Sequence, residues 1–145
     1  MAAKPSMLID LNILLDMLQK REPFYEISAA LLAAMETGRV KGYVAAHSIT
    51  TLFYLIRRDR SAAEARATIT NLMQFIKIAP VNQSTIEQAL NLDYGNYEDA
   101  VQMISAVQCK ADYLITRNVK DYQPALVTVL KPVEFIGTLR KEESG

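Results

Sequence analysis

The chain has 145 residues, 50% of them hydrophobic and 22% charged, with Lys plus Arg balancing Asp plus Glu at 16 each. These values exclude a disordered chain and a protein that holds nucleic acid through a positive field over its whole surface. They fit one domain over residues 1–145 with room for a local basic stripe, and one cysteine, Cys109, with one histidine, His47, excludes a disulfide and zinc bound by Cys/His spacings.

The start, MAAKPS, lacks the long apolar core of a secretory signal, and no apolar run approaches the ~20 residues that span a bilayer. A cytoplasmic location away from membrane is expected. Met7 to Asp10 is a short apolar run closed by a carboxylate, and Ile13, Leu14, Leu15, Met17 and Leu18 then recur with helical spacing. Strand, turn and helix follow one another there. Pro23 breaks that helix, a second starts near Tyr25 and carries Ile27, Leu31, Leu32 and Met35, and Gly38 stops it.

Gly42 to Ala46 has the composition of a second strand. His47 or Ser48 is expected to cap the next helix, which carries Leu52, Phe53, Leu55 and Ile56 and ends in Arg57, Arg58, Asp59 and Arg60. Ser61 with Glu64, and Ser84 with Glu87, have capping-box spacing, which places helix starts at both sites and a strand from Ile76 to Val81 between them. Asn96 predicts the cap of a helix from Tyr97 through Ala111, on which Cys109 reads as a buried small hydrophobe. Tyr113 to Thr116 and Val127 to Leu130 are further strands, Pro132 opens a last helix, and the polar end from Arg140 to Gly145 is expected to fray. Strands separated by helices imply a mostly parallel sheet in a three-layer α/β/α sandwich.

In such a sheet ligands bind beyond the carboxyl ends of the strands where strand order reverses, so acids at strand ends are the first candidates. Asp10 closes the first strand with Asn12 beside it. Glu98 and Asp99 lie in the first turn of a late helix, and because helical neighbours diverge by about 100°, at most one of them is expected to face a site there. Thr116, Arg117, Asn118, Lys120 and Asp121 form the loop after the YLIT strand. Each group alone also fits a helix cap, a dipole partner or a solvated loop. Acidic clusters converging on one sheet edge would together offer the oxygen ligands that Mg2+ or Mn2+ requires.

The segments IDLNILLD (9–16), REPFYE (21–26), HSITTLFYLI (47–56), YEDAVQMISA (97–106) and LITRNVKDY (114–122), in this order, resemble the PIN-domain nucleases, particularly the short bacterial ones related to VapC-type toxins of toxin–antitoxin pairs. The resemblance covers nearly the whole chain. It implies a metal-dependent ribonuclease in which Asp10, Asp99 and Asp121 hold Mg2+ or Mn2+, with Asn118 as a further oxygen donor and Asn12 in support; beside it, Glu98 is a candidate substitute donor and Thr116 a candidate supporting residue. It also implies an RNA substrate, an antitoxin partner and a homodimer. Arg117 and Lys120, which share the loop of Asp121, and Arg57 and Arg58 are the candidates for RNA contact. Two positions depart from the family pattern: Tyr54 stands where relatives commonly carry a glutamate, and Asn118 where many carry aspartate. A phenol is no substitute for a metal-binding carboxylate at neutral pH. The competing reading is therefore a PIN-like module that binds RNA or protein with little catalysis. Transfer through an aspartyl phosphate is disfavoured because Asn12 stands where a second acid is expected.

Overall fold

The computed structural model describes residues 4–144. Met1–Ala3, the first part of the MAAKPS segment, and Gly145 at the end of the polar tail lie outside it. Five parallel strands, β1 (Ser6–Ile9), β2 (Lys41–Ala45), β3 (Ile76–Ala79), β4 (Tyr113–Ile115) and β5 (Thr128–Leu130), form one sheet in the order β3-β2-β1-β4-β5. Register follows from the pairs Leu8↔Tyr43, Leu8↔Leu114 and Leu114↔Val129.

The near-continuous apolar strands fit a sheet covered on both faces. Met7, Ile9, Val44, Ile76 and Ile115 point to one side and join Ile13, Leu14, Leu31, Leu52 and Phe135 from α1 (Leu11–Leu18), α2 (Tyr25–Glu36), α3 (Ala46–Asp59) and α7 (Pro132–Ser144). Leu8, Ala45, Ala79 and Leu114 point to the other, against Met103 and Ala106 of α6 (Tyr97–Gln108) and against Tyr122. A small cluster of Ala89, Ala100, Val101 and Ile104 joins α5 (Gln83–Leu90) to α6, and α4 (Ala62–Leu72) packs on α3. The expected α/β/α sandwich is the observed architecture.

Several boundaries differ from expectation for local reasons. The strand expected over Ile76 to Val81 ends at Ala79, one residue before Pro80. Asn82, not Ser84, caps α5: its Oδ1 accepts from the Thr85 amide at 3.1 Å while the Thr85 hydroxyl accepts from the Asn82 amide at 3.1 Å. Ser84 instead accepts from Gln88 and Gln108. Ala45 is the N-cap of α3 and makes no side-chain bond, so His47 and Ser48 lie inside the first turn and do not cap it. Helix α6 stops at Gln108 rather than at Ala111, because Lys110 takes a left-handed φ of 60°. Cys109 is half-buried at that end. The C-terminal segment expected to fray continues as helix to Ser144, tied by an ion pair between Arg39 and Glu143. Gly38 does end α2, with φ 79°, and Ser61 caps α4 by accepting from the Glu64 amide at 3.0 Å. No helix of the described residues is long and apolar enough to cross a membrane.

Candidate active site

Strand order reverses at β1, whose neighbours β2 and β4 lead outward in opposite directions. A cleft of about 270 Å³ opens at the carboxyl ends of β1, β2 and β4, and Asp10, Asn12, His47, Glu98, Asp99, Asn118 and Asp121 line it. It brings together the acids of three separate segments of the chain.

Asp10 does two things at once. As N-cap of α1 it accepts weakly from the Asn12 amide at 3.4 Å, and its Oδ2 accepts from the Thr116 hydroxyl at 2.9 Å. Thr116 is buried at the end of β4 and also accepts from the Asn118 amide at 3.1 Å, so one hydroxyl couples the first acid to the loop after β4. That loop closes in a 3-10 turn, Val119–Asp121, which presents Asp121 to the cleft.

Asp99 is held by its helix and by the core. Its amide donates to Asn96 Oδ1 at 3.2 Å, which caps α6, and its Oδ1 accepts from the Tyr122 hydroxyl at 3.1 Å. Tyr122, only 1% exposed, in turn accepts from Gln102 Nε2 at 2.7 Å, and Gln102 Oε1 accepts from Ser48 at 3.4 Å. Burial raises the Asp99 carboxyl above the usual range; the Tyr122 bond opposes this, and Asp10, Asp121 and Glu98 add to it by repulsion. The Tyr122 phenol is raised strongly, first by burial and then by Asp10 and Asp99, so it stays protonated and donates. Burial lowers the His47 imidazole against the opposing pull of Glu98 and Asp10, so it is neutral at pH 7. Its buried Nδ1 has no partner among the described residues.

Both Glu98 and Asp99 line the cleft, whereas only one was expected to. The cleft lies over the start of α6, and a helix terminus can reach a site with diverging residues of its first turn. Tyr54 is 61% exposed and lies outside the cleft; the face of α3 that lines it carries His47, Ser48 and Thr51 and no carboxylate. Arg117 leaves the cleft to pair with Asp16, and Lys120 is exposed on the 3-10 turn without lining it. Arg57 and Arg58 are exposed in the last turn of α3, Arg58 pairing with Asp59 at 2.9 Å, and neither lines the cleft. Ser48, Thr51, Gln102 and Tyr122 are lining residues that sequence reasoning did not single out. Gln102 carried a signal, since it is a polar residue on the apolar face of α6, three positions after Asp99.

The acidic and amide oxygens are hard donors of the kind that suits small divalent cations. Among the described residues no three acidic, histidine or cysteine side chains stand together as a group that could hold one metal ion. The donor set fits an open site at which a cation keeps part of its water, with mutual repulsion already evident at Asp99.

A family model described as a PIN domain matches residues 6–120. The chain belongs to the PIN-domain family. No curated protein sequence matches this PIN domain. Solved structures share its fold. A toxin–antitoxin complex from Klebsiella pneumoniae has a TM-score of 0.66 at 21% identity, over 87% of this chain and 97% of that one. The VapBC-1 structure from nontypeable Haemophilus influenzae gives 0.66 at 16%, over 88% and 98%. VapC20 of Mycobacterium tuberculosis, a sarcin–ricin loop cleaving toxin, gives 0.58 at 14%, over 74% and 86%.

Proposed function

We propose that this PIN domain is a metal-dependent endoribonuclease and the toxin of a toxin–antitoxin pair. The observation that carries the reading is the convergence of Asp10, Asp99 and Asp121, with Asn118 and Glu98, in one cleft at the reversal point of the sheet. Mg2+ or Mn2+ held by fewer than three of Asp10, Asp99 and Asp121 at a time, with Asn118 as a neutral oxygen donor and water in the remaining positions, would offset phosphodiester charge and lower the pKa of a water.

The protein's own groups prepare that chemistry. Thr116 fixes one oxygen of Asp10, and Tyr122 fixes one oxygen of Asp99, whose other oxygen makes no hydrogen bond among the described residues. Neutral His47 is available to a ribose hydroxyl or a phosphate oxygen. The similar folds include a toxin–antitoxin complex and a sarcin–ricin loop cleaving toxin, which supports a protein antitoxin as partner and RNA as substrate here. A cytoplasmic homodimer is the proposed assembly, with Tyr54 on the exposed side of α3 as a candidate contact.

A second reading, an RNA- or protein-binding module with little catalysis, is favoured by one observation: α3 gives the cleft hydroxyls and an imidazole instead of an acid. The two separate on incubation of purified protein with mixed RNA in Mn2+ or Mg2+, beside a chelated control. Cleavage that needs the cation supports the nuclease. RNA that is retained but left intact with either cation supports the module.

A further inference from the structure

Arg117 stands between two residues of the site, Thr116 and Asn118, yet its side chain turns the other way. Its Nη2 donates to Asp16 Oδ1 at 3.1 Å, while its Nε lies 2.8 Å from Asp16 Oδ2 as an ion-pair contact not aligned for a hydrogen bond, Nε and Oδ2 both being buried without a hydrogen-bond partner among the described residues. The guanidinium carbon sits 3.9 Å from the centre of the Phe24 ring. Asp16 is completely buried, and its only other cation among the described residues, Arg21, is at 3.7 Å. A buried carboxylate persists only when paired, and a planar guanidinium stacked on an aromatic ring supplies Asp16 with one hydrogen bond and a second close charge contact in one fixed orientation.

This arrangement ties the loop after β4 to α1 at two levels. At the start of the helix Asp10 holds the Thr116 hydroxyl; near its end Asp16 holds Arg117. The next residue, Asn118, enters the cleft, and its carbonyl accepts from the Asp121 amide at 3.0 Å. We propose that Asp16 and Arg117 are a positioning pair that holds the segment 116–121 so that Asn118 and Asp121 face Asp10 and Asp99, and that Arg117 makes no contact with RNA phosphate. The activity arm of the test rests on the nuclease reading; the exchange arm does not.

The test uses the full chain with Arg117→Lys, which keeps the charge but loses the planar guanidinium that stacks on Phe24, Asp16→Asn, and the charge-free pair Asp16→Leu/Arg117→Met. Amide hydrogen exchange without metal or RNA is read first. Asn118 and Asp121 should exchange about 10-fold faster in Arg117→Lys and Asp16→Asn, while Leu8 and Leu114 in the sheet keep their protection. Mn2+ affinity should fall by about 10-fold, as for other groups that orient ligands from behind, and kcat should fall with it at unchanged KM. The charge-free pair should retain the parent's salt dependence of RNA binding. Unchanged exchange at Asn118 and Asp121, or loss of protection at Leu8 and Leu114 as well in Arg117→Lys, overturns the positioning role. A salt slope lower by about one unit in the charge-free pair would instead assign Arg117 to a phosphate. A parent chain that cleaves no RNA sinks the nuclease reading and leaves the exchange and Mn2+ results to decide the pair.

Discussion

Tyr122 donates to Asp99 Oδ1 at 3.1 Å while accepting from Gln102 Nε2 at 2.7 Å, and this acceptance settles the direction of the first bond. A candidate catalytic acid is thus held by a phenol that belongs to the hydrophobic core. Tyr122→Phe leaves the buried Gln102 amide without its acceptor and Asp99 without its donor. A loss of about 1–2 kcal/mol is expected, read as a melting temperature lower by roughly 2–6 °C. Because that bond is what lowers the Asp99 carboxyl, its titration by NMR should move further up in the variant. An unchanged midpoint would show that the bond does not act on Asp99.

The direction of the Asp99 shift fixes a pH dependence for the metal-free protein. Its carboxyl is raised in the fold, so between the ordinary carboxylate value and the raised one the folded state binds more protons than the unfolded state. The stability this group contributes is complete below the unfolded value and is lost as pH rises through the folded one. Asp99→Asn does not titrate, so its melting temperature should gain on the parent's as pH rises from below the ordinary carboxylate value through the raised one; half exposure limits the gain to less than ~1 kcal/mol. A gain in the opposite direction contradicts the assigned strain.

Thr116→Val keeps the shape of a buried residue but removes the donor to Asp10 and the acceptor for the Asn118 amide. Divalent-cation affinity, measured by calorimetry, should fall by about 10- to 100-fold, in line with other groups that orient ligands. Affinity equal to the parent's would mean that the hydroxyl orients nothing.

Gly42 in β2 lies so close to Met35 that an added Cβ would stand 1.8 Å from its Sδ and 2.8 Å from its Cγ. Met35 is unbranched and can swing aside in part, so Gly42→Ala should cost about 1–3 kcal/mol rather than abolish folding. Chemical denaturation would detect this as an earlier midpoint at unchanged slope, and a neutral result would indicate a looser core than the packing of Met35 implies.

The elements were legible where one physical signal dominated. The apolar run ending at Asp10, the Asn96 cap and the left-handed Gly38 each dictate their own local structure, and the positions of Asp10, Asp99 and Asp121 in one cleft follow from strand ends and a helix start. What escaped the sequence was tertiary. Nothing local reveals that Arg117 would turn from the cleft to a buried Asp16, or that Gln102 and Tyr122 would join in a polar chain behind Asp99. Competition between neighbouring caps, Asn82 against Ser84, is also decided by geometry that spacing does not encode.

Asp10, Asp99 and Asp121 are proposed to form one metal-dependent site for cutting RNA. Its most direct test is the single-turnover rate of RNA cleavage in Mn2+ for the parent chain beside Asp10→Asn, Asp99→Asn and Asp121→Asn, each first shown to fold. Metal-dependent cleavage by the parent is expected, with a loss of at least about 100-fold in the Asp10 and Asp99 variants, as removal of a group that stabilises transition-state charge costs elsewhere. Cleavage at the parent's rate in those two variants would contradict it.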